Sequence, residues 1–122
     1  MILDKIAAYT RLRIEEAKKE LSPDEIRRLA LSCKTDTGFP FEKVLKEPGI
    51  HYICEVKKAS PSKGIIAQDF PYLTITKEYE LAGASAISVL TEPDYFLGED
   101  KYLQEIAQNV SIPVLCKDFI ID

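Results

Sequence analysis

Three short apolar runs, separated by two helical patterns, constrain the fold of this chain more than any other feature of its sequence. The runs are residues 51–57, 86–90 and 114–117. Between them, segments 73–81 and 100–109 carry apolar residues at helical spacing. The centres of the runs lie about 30 residues apart, the size of one strand-helix unit. This alternation predicts an α/β fold built from parallel βαβ units.

The first 48 residues carry a purely helical pattern. Residues 2–21 have apolar side chains at helical spacing. A second helix is expected to begin after Ser22, because Ser22 can cap it and Glu25 completes a capping box. A short third helix follows. We therefore predict two parts, a helical extension over residues 1–48 and a strand-containing part over residues 49–122.

The composition is that of an ordinary globular domain and argues against several classes of partner. Apolar residues make up 46% of the chain and charged residues 30%, unlike disordered, collagen-like or membrane proteins. The net charge is −4 and no basic patch is present, so we expect no nucleic-acid partner. No stretch approaches the roughly 18 apolar residues of a membrane span, and no secretory signal is recognisable, so no membrane partner is expected.

The cysteines and the histidine predict neither a disulfide framework nor a metal site. Cys33, Cys54 and Cys116 are odd in number and lack paired spacing. Cys54 and Cys116 lie in apolar runs, where a thiol usually behaves as a small buried hydrophobe. We expect reduced thiols and a cytoplasmic location. His51 has no cluster of ligands around it, so no metal is expected, and its place at the start of the first strand predicts a structural role.

Charged residues at the ends of the first and third strands are the main candidates for chemistry. In parallel α/β folds, ligands gather at the carboxyl ends of the strands. Side chains alternate along a strand, so Glu55 and Lys57 share a side, as do Leu115 and Lys117. Odd strands of a barrel contribute to the same interior layers, which would bring Glu55, Lys57 and Lys117 to one mouth. Such a group suits an acid, an anion clamp and an orienting carboxylate, whereas solvated polar strand ends are the alternative.

A loop and two aromatic residues are further candidates. Residues 58–64 are rich in Ser, Pro, Lys and Gly and could contact an anion, but a plain flexible surface loop has the same composition. Phe96 and Phe119 lie in or beside the other strand-end regions. They could line an apolar pocket or belong to the core.

These same segments resemble one enzyme family, the indole-3-glycerol-phosphate synthases. The stretch EVKKASPSKG at residues 55–64 is similar to the family's first strand and loop. SVLTE at 88–92, followed by YFLG at 95–98, is similar to the second, and PVLCKDFIID at 113–122 to the third. The signatures occur in the family's order, and the helical residues 1–48 match the extension that this family places before its barrel.

The resemblance implies a fold and a reaction. The fold is a (β/α)8 TIM barrel, of which this chain would hold the first three strands after a helical extension. The reaction is a step of tryptophan biosynthesis catalysed by a carbon–carbon lyase. It converts 1-(2-carboxyphenylamino)-1-deoxyribulose 5-phosphate to indole-3-glycerol phosphate with loss of CO2 and water. The implied partner is this phosphorylated small molecule, and no cofactor or metal is implied.

The resemblance also implies residue roles. Lys117 matches the family's catalytic lysine, a general acid for the substrate carbonyl or its departing hydroxyl. Glu55 matches a catalytic carboxylate, and Lys57 a second lysine that binds substrate and is proposed as an acid in one step. Cys116 stands where the family commonly has arginine, and it should face away from the interior. The implied substrate-binding residues are Ser60, Phe96 and Phe119.

A complete barrel needs about 250 residues, and the family's later catalytic groups are not among these 122. We therefore expect this chain alone to be inactive, with an open sheet edge through which it could self-associate. Two alternatives stay open. One is a non-catalytic partial-barrel fragment that self-associates, which light scattering would reveal. The other is a different phosphate-substrate barrel enzyme whose Lys117 forms a Schiff base, which borohydride would trap.

Overall fold

The structure, a computed structural model, describes residues 1–122, and its elements follow the predicted order. The helices are α1 (Ile2–Glu20), α2 (Pro23–Ser32), α3 (Pro40–Lys46), α4 (Tyr72–Leu81) and α5 (Asp100–Asn109). The strands are β1 (Ile53–Val56), β2 (Ala59–Ser60), β3 (Gly64–Ile65), β4 (Ala86–Leu90) and β5 (Val114–Lys117). The predicted α/β alternation is confirmed. None of the helices combines the length and apolarity that crossing a membrane would require.

A parallel three-stranded sheet forms the centre of the strand-containing region. β4 lies between β1 and β5 and pairs with both in parallel. In this register Glu55 is level with Ser88, and Lys117 is level with Leu90. All five residues of β4 are buried, as expected for a central strand. The carboxyl ends of all three strands therefore meet at one edge of the sheet.

The hydrophobic core lies between the sheet and helices α4 and α5. Its buried members are Val56, Ile87, Val89 and Ile106, each at most 2% exposed. Burying a side chain of this size stabilises the fold by about 1.5–3 kcal/mol. Because side chains alternate along each strand, the strand residues between these core members, Glu55 among them, point to the opposite face.

The chain divides into two compact units. One holds Met1–Gly38 together with Phe119–Asp122, and the other holds Phe39–Asp118 and therefore the whole sheet. Helix α3 falls in the second unit. The boundary between residues 48 and 49 stays a prediction.

Within the first unit, α2 begins at the predicted capping box. Ser22 Oγ accepts a hydrogen bond from the Glu25 amide at 3.2 Å, and the Glu25 carboxylate accepts one from the Ser22 amide at 2.9 Å. Two amides at the helix start are thereby satisfied. These hydrogen bonds also hold the pKa of Glu25 below its ordinary value, with the bond from the Ser22 amide as the larger cause.

The segment after β1 is a hairpin, so the flexible-loop alternative is wrong. β2 and β3 pair antiparallel, with Ala59 opposite Ile65 and Ser60 opposite Gly64. Ala59 and Ser60 are only 3% and 7% exposed. Gly64 has a φ of +64°, a conformation that glycine adopts without steric cost. The pairing of the buried residues Ala59 and Ser60 with β3, rather than the composition of the segment, determines the structure of residues 58–64.

The exposure of one cysteine, Cys116, differs from what the sequence predicts. Cys116 is exposed and Cys54 is half-buried, so the expected burial of Cys116 is wrong. Cys116 lies on β5, which is an edge strand with a neighbour on one side only. His51 bridges two elements, with Nδ1 3.2 Å from Ser85 Oγ and Nε2 2.6 Å from the Glu47 carbonyl oxygen.

Gly98 allows the loop after β4 to close against the end of that strand. A Cβ atom at residue 98 would lie 2.3 Å from the Leu90 carbonyl oxygen and 2.7 Å from Thr91 Cα. The Gly98 amide donates to the Glu92 carbonyl oxygen at 2.8 Å, which holds the two segments at this separation. No side chain fits between them.

Gly98→Ala should therefore lower the free energy of unfolding by about 3 kcal/mol, because the clash is with backbone and no rotamer relieves it. Urea denaturation measures the loss. Gly83→Ala is the control, since Gly83 has a φ of +97° but nothing within 4 Å of an added Cβ. It should lose only the roughly 1–2 kcal/mol of left-handed backbone strain. Equal losses in the two variants would contradict the close-packing explanation.

Candidate active site

A glutamate held between two lysines lies at the carboxyl edge of the sheet. Lys117 Nζ is 2.6 Å from Glu55 Oε2, and Lys57 Nζ is 3.3 Å from Glu55 Oε1. Each lysine thus contacts a different oxygen of one carboxylate. The structure brings together the three side chains that strand order and alternation place at one mouth. We call this group the lysine–glutamate cluster.

The sheet register explains how residues 62 positions apart in sequence meet. Glu55 and Lys117 lie on strands that flank β4, which places their backbones about 10 Å apart across the sheet. Lys117 is level with Leu90, two residues nearer the carboxyl edge than Ser88, the residue level with Glu55. A lysine side chain is long enough to reach back across β4.

The cluster is partly exposed. The side chains of Glu55 and Lys57 are 29% and 31% exposed, and that of Lys117 is 54% exposed. A solute can therefore reach all three, while the carboxylate is screened less than a surface group. Two ammonium groups and one carboxylate give a net charge of +1. Such a site attracts an anion and stabilises negative charge that develops on a bound oxygen.

Burial and hydrogen bonding act in opposite directions on Glu55. Burial alone would raise the pKa of its carboxyl, but hydrogen bonds and charge from Lys117 and Lys57 outweigh it and hold the pKa below its ordinary value. Glu55 is therefore ionised near neutral pH. It can orient both ammonium groups without competing with them for a proton.

Ser60 lies apart from these contacts in the hairpin. Its hydroxyl accepts a hydrogen bond from the Lys63 amide at 3.2 Å and lies 3.5 Å from Ser62 Oγ. These contacts fix the turn between β2 and β3. Ser60 is buried, and its hydrogen bonds stay within the hairpin.

The two candidate phenylalanines fall in different units. Phe96 lies in the loop between β4 and α5, in the same unit as the lysine–glutamate cluster, and is half-buried. Phe119 lies two residues after the end of β5 and belongs to the first unit, where it is also half-buried. A shared aromatic pocket stays a prediction.

Glu92 organises the loop that carries Phe96, a role that the sequence analysis missed. Its side chain is only 1% exposed. Its carboxylate accepts hydrogen bonds from the amides of Asp94, Tyr95 and Phe96 at 3.0, 2.7 and 3.0 Å. Three charge-assisted hydrogen bonds fix the backbone leading to Phe96. The available signal was an acidic residue directly before a Pro-Asp turn, where a side chain can accept from amides two to four residues ahead.

One cleft of the structure borders the lysine–glutamate cluster, and a second cleft lies away from it. One, of about 360 Å³, is lined by Glu55 and Lys57 and by apolar side chains of the hairpin and α4 region, including Phe70 and Tyr79. The other, of about 250 Å³, lies in the first unit between α1 and α2 and touches none of the cluster residues. The first cleft lies on the helix-facing side of β1, where Val56 packs with Phe70 and Tyr79, whereas the Glu55 side chain points to the opposite face. No group of three or more His, Cys, Asp or Glu side chains could hold a metal ion.

Comparison with known proteins identifies related chains. The family model described as indole-3-glycerol phosphate synthase matches residues 3–122. The indole-3-glycerol phosphate synthase of Ruminiclostridium cellulolyticum is 56% identical over 122 residues, covering 100% of this chain and 47% of that protein. That of Endomicrobium trichonymphae is 58% identical with the same coverage, and that of Lacticaseibacillus casei is 52% identical. The chain spans about half the length of the curated relatives it matches.

The lowered pKa of Glu55 predicts a pH dependence. Because its pKa is lower in the folded than in the unfolded chain, its ionisation stabilises the fold above the unfolded pKa, and this contribution is lost as the pH falls through the folded pKa. Lys117→Met removes one of the two cations. The pKa of Glu55 should then rise toward its ordinary value, and its contribution to acid-dependent stability should shrink.

Carbon-detected NMR titration of the Glu55 carboxyl measures this change, and acid denaturation measures its effect on stability. Lys46→Met is the matched control, because Lys46 forms an exposed ion pair with Glu42 and has no contact with the cluster. An unchanged Glu55 titration in Lys117→Met would show that the ion pair does not form in solution.

Proposed function

We propose, because this chain belongs to the indole-3-glycerol phosphate synthase family, that its lysine–glutamate cluster supplies the proton-donating part of that family's active site. The family consists of decarboxylating lyases of tryptophan biosynthesis. The substrate we propose is 1-(2-carboxyphenylamino)-1-deoxyribulose 5-phosphate, and the product is indole-3-glycerol phosphate. The single observation that carries the proposal is the 2.6 Å contact between Lys117 and Glu55 at the carboxyl edge of the sheet.

Lys117 is the proposed general acid. The ring carbon that bears the substrate carboxylate attacks the ketone carbon, and the ketone oxygen takes up a proton from Lys117 as its negative charge develops. The carboxylate then leaves as CO2, and its electron pair restores the aromatic ring. The former ketone oxygen, now a hydroxyl, takes up a second proton and departs as water. The neighbouring carbon, the former CH2 next to the nitrogen, loses a proton to solvent, and the electron pair of that C–H bond forms the double bond of the indole ring. Loss of one CO2 and one water balances substrate against product.

Glu55 and Lys57 support this step. The Glu55 carboxylate contacts Lys117 through one oxygen and Lys57 through the other. Glu55 remains ionised and orients the Lys117 ammonium at 2.6 Å. Lys57 contacts the other carboxylate oxygen at 3.3 Å and keeps the cluster at a net charge of +1. We propose that Lys57 binds an anionic group of the substrate and could serve as an acid in one step. A site without net charge would not attract this anionic group.

The remaining site residues are proposed by family resemblance, with support from their placement. Ser60 lies in the hairpin that directly follows Lys57 and Lys58, and we propose that this hairpin lies near the substrate carboxylate. Phe96 lies on a loop fixed by Glu92. Phe119 follows the third strand of the sheet. We propose that these two rings hold the aromatic ring of the substrate.

The three parallel strands are proposed as the first three of a (β/α)8 barrel. Their support is the alternation of the three sheet strands with α4 and α5, and the gathering of charged residues at the carboxyl edge, where barrel enzymes carry their active sites. β1 and β5 are both edge strands of this sheet. Self-association of the isolated chain through an open edge stays a proposal, tested by light scattering. A cytoplasmic location is likewise a proposal, tested by cell fractionation.

Lys117→Ala tests the function in the protein at its natural length. Turnover should fall by about 10²- to 10⁴-fold, the usual effect of removing a general acid. The free energy of unfolding should change by less than about 1 kcal/mol, because the Lys117 side chain is 54% exposed and water screens its ion pair. Product formation is followed by indole fluorescence, and stability by urea denaturation.

Lys46→Ala is the matched control, since it removes an exposed lysine that is paired with Glu42 and makes no contact with the cluster. Its turnover should equal that of the unmodified protein. Full activity in Lys117→Ala would end the assignment of that residue, and absence of turnover in the unmodified protein would end the proposed function. The 122-residue chain assayed alone is expected to be inactive, because it spans only about half the length of its relatives.

A further inference from the structure

Thr91 contacts each of the three residues from Cys116 to Asp118. Its amide donates to the Lys117 carbonyl oxygen at 3.1 Å. Its hydroxyl donates to Asp118 Oδ2 at 2.8 Å and lies 3.6 Å from Cys116 Sγ. A hydroxyl has one proton to donate and can accept from a thiol, so both contacts can form together. Thr91 is 4% exposed, and its hydrogen bonds are therefore shielded from competing water.

Apart from its pairing with Leu90 in the sheet, the Lys117 backbone is held by Thr91. Lys117 is the last residue of β5, and β5 pairs with β4 only. Its side chain is 54% exposed, so packing does not restrict its rotamers. The direction in which the chain leaves β5, and with it the starting point of the Lys117 side chain, depends on the contacts that Thr91 makes on both sides of it.

We propose that Thr91 is a positioning residue for Lys117. By holding Cys116 and Asp118 through one hydroxyl, and Lys117 through its amide, Thr91 fixes the backbone from which the ammonium reaches Glu55. The catalytic consequence rests on the proposed function, in which Lys117 donates a proton. The geometric consequence, the closeness of Lys117 to Glu55, does not rest on it.

The other buried hydroxyls of the same unit have different surroundings. The Ser60 hydroxyl accepts from the Lys63 amide within the hairpin. The Thr76 hydroxyl bonds to the carbonyl oxygens of Tyr72 and Leu73 in its own helix. The Ser88 hydroxyl has no hydrogen-bond partner. Only the Thr91 hydroxyl joins the end of one strand to the end of the next. Thr76, which is 0% exposed, is therefore a matched control for the same substitution at an equally buried threonine.

The first experiment uses the 122-residue chain and needs no turnover. Thr91→Val removes the hydroxyl with little change of shape, and Thr91→Ala removes it without adding a methyl group. In both variants the Glu55 carboxyl, followed by carbon-detected NMR, should titrate at a higher pH than in the unmodified chain, because Lys117 is held less closely. Thr91→Ser and Thr76→Val should titrate as the unmodified chain does. An unchanged Glu55 titration in the valine and alanine variants overturns the proposal.

The second experiment measures kcat and KM in the protein at its natural length. Thr91→Val should lower kcat by about 10- to 100-fold, in the range that a displacement of a catalytic group by about 1 Å produces, with KM changed less than threefold. Thr91→Ser should recover most of kcat. Thr76→Val should lose stability but keep kcat, which separates positioning from a general loss of structure. An unchanged kcat in Thr91→Val overturns the proposal.

The two experiments separate two kinds of failure. If the unmodified protein has no turnover of the proposed substrate, the proposed function fails, while the Glu55 titration still tests the placement of Lys117. If the unmodified protein turns over and Thr91→Val does so equally well, the role of Thr91 fails and the proposed function stands.

Discussion

The placement of β4 between β1 and β5 is the constraint on which the rest of this structure depends. Parallel pairing on both sides directs all three carboxyl ends to one edge and brings residues far apart in sequence level with each other. The same pairing, through strict alternation, separates an apolar face packed on α4 and α5 from a face that carries Glu55. A slip of one residue in either ladder would exchange the two faces and disperse the charged side chains.

The net charge of Glu55, Lys57 and Lys117 then determines whether this face attracts an anion. A carboxylate and one ammonium would form a neutral pair with little attraction for an anion. The second ammonium makes the group cationic while Glu55 keeps both oxygens occupied. Its lowered pKa is the expected result of two cations acting against partial burial. Specificity for one substrate must come from the surrounding apolar side chains, because charge alone accepts many anions.

Much of this architecture could be predicted because the governing signals are local. Helical periodicity predicts the five helices, the capping box predicts the start of α2, and alternation predicts that Glu55, Lys57 and Lys117 share a side. The features that were missed depend on tertiary packing. The hairpin after β1 follows from burial of Ala59, and the exposure of Cys116 from its position on an edge strand. The role of Glu92 depends on a loop that folds back over its carboxylate.

The sharing of one carboxylate between two lysines has a consequence for repeated turnover. In the proposed reaction, when Lys117 gives up its proton, Glu55 remains opposite the Lys57 ammonium, so the cluster passes from a net charge of +1 to neutral and never holds an unopposed anion. Lys117 is also the most exposed of the three, and water can return the proton directly. The cluster can therefore regain its starting charge after each cycle without a dedicated proton path through the protein.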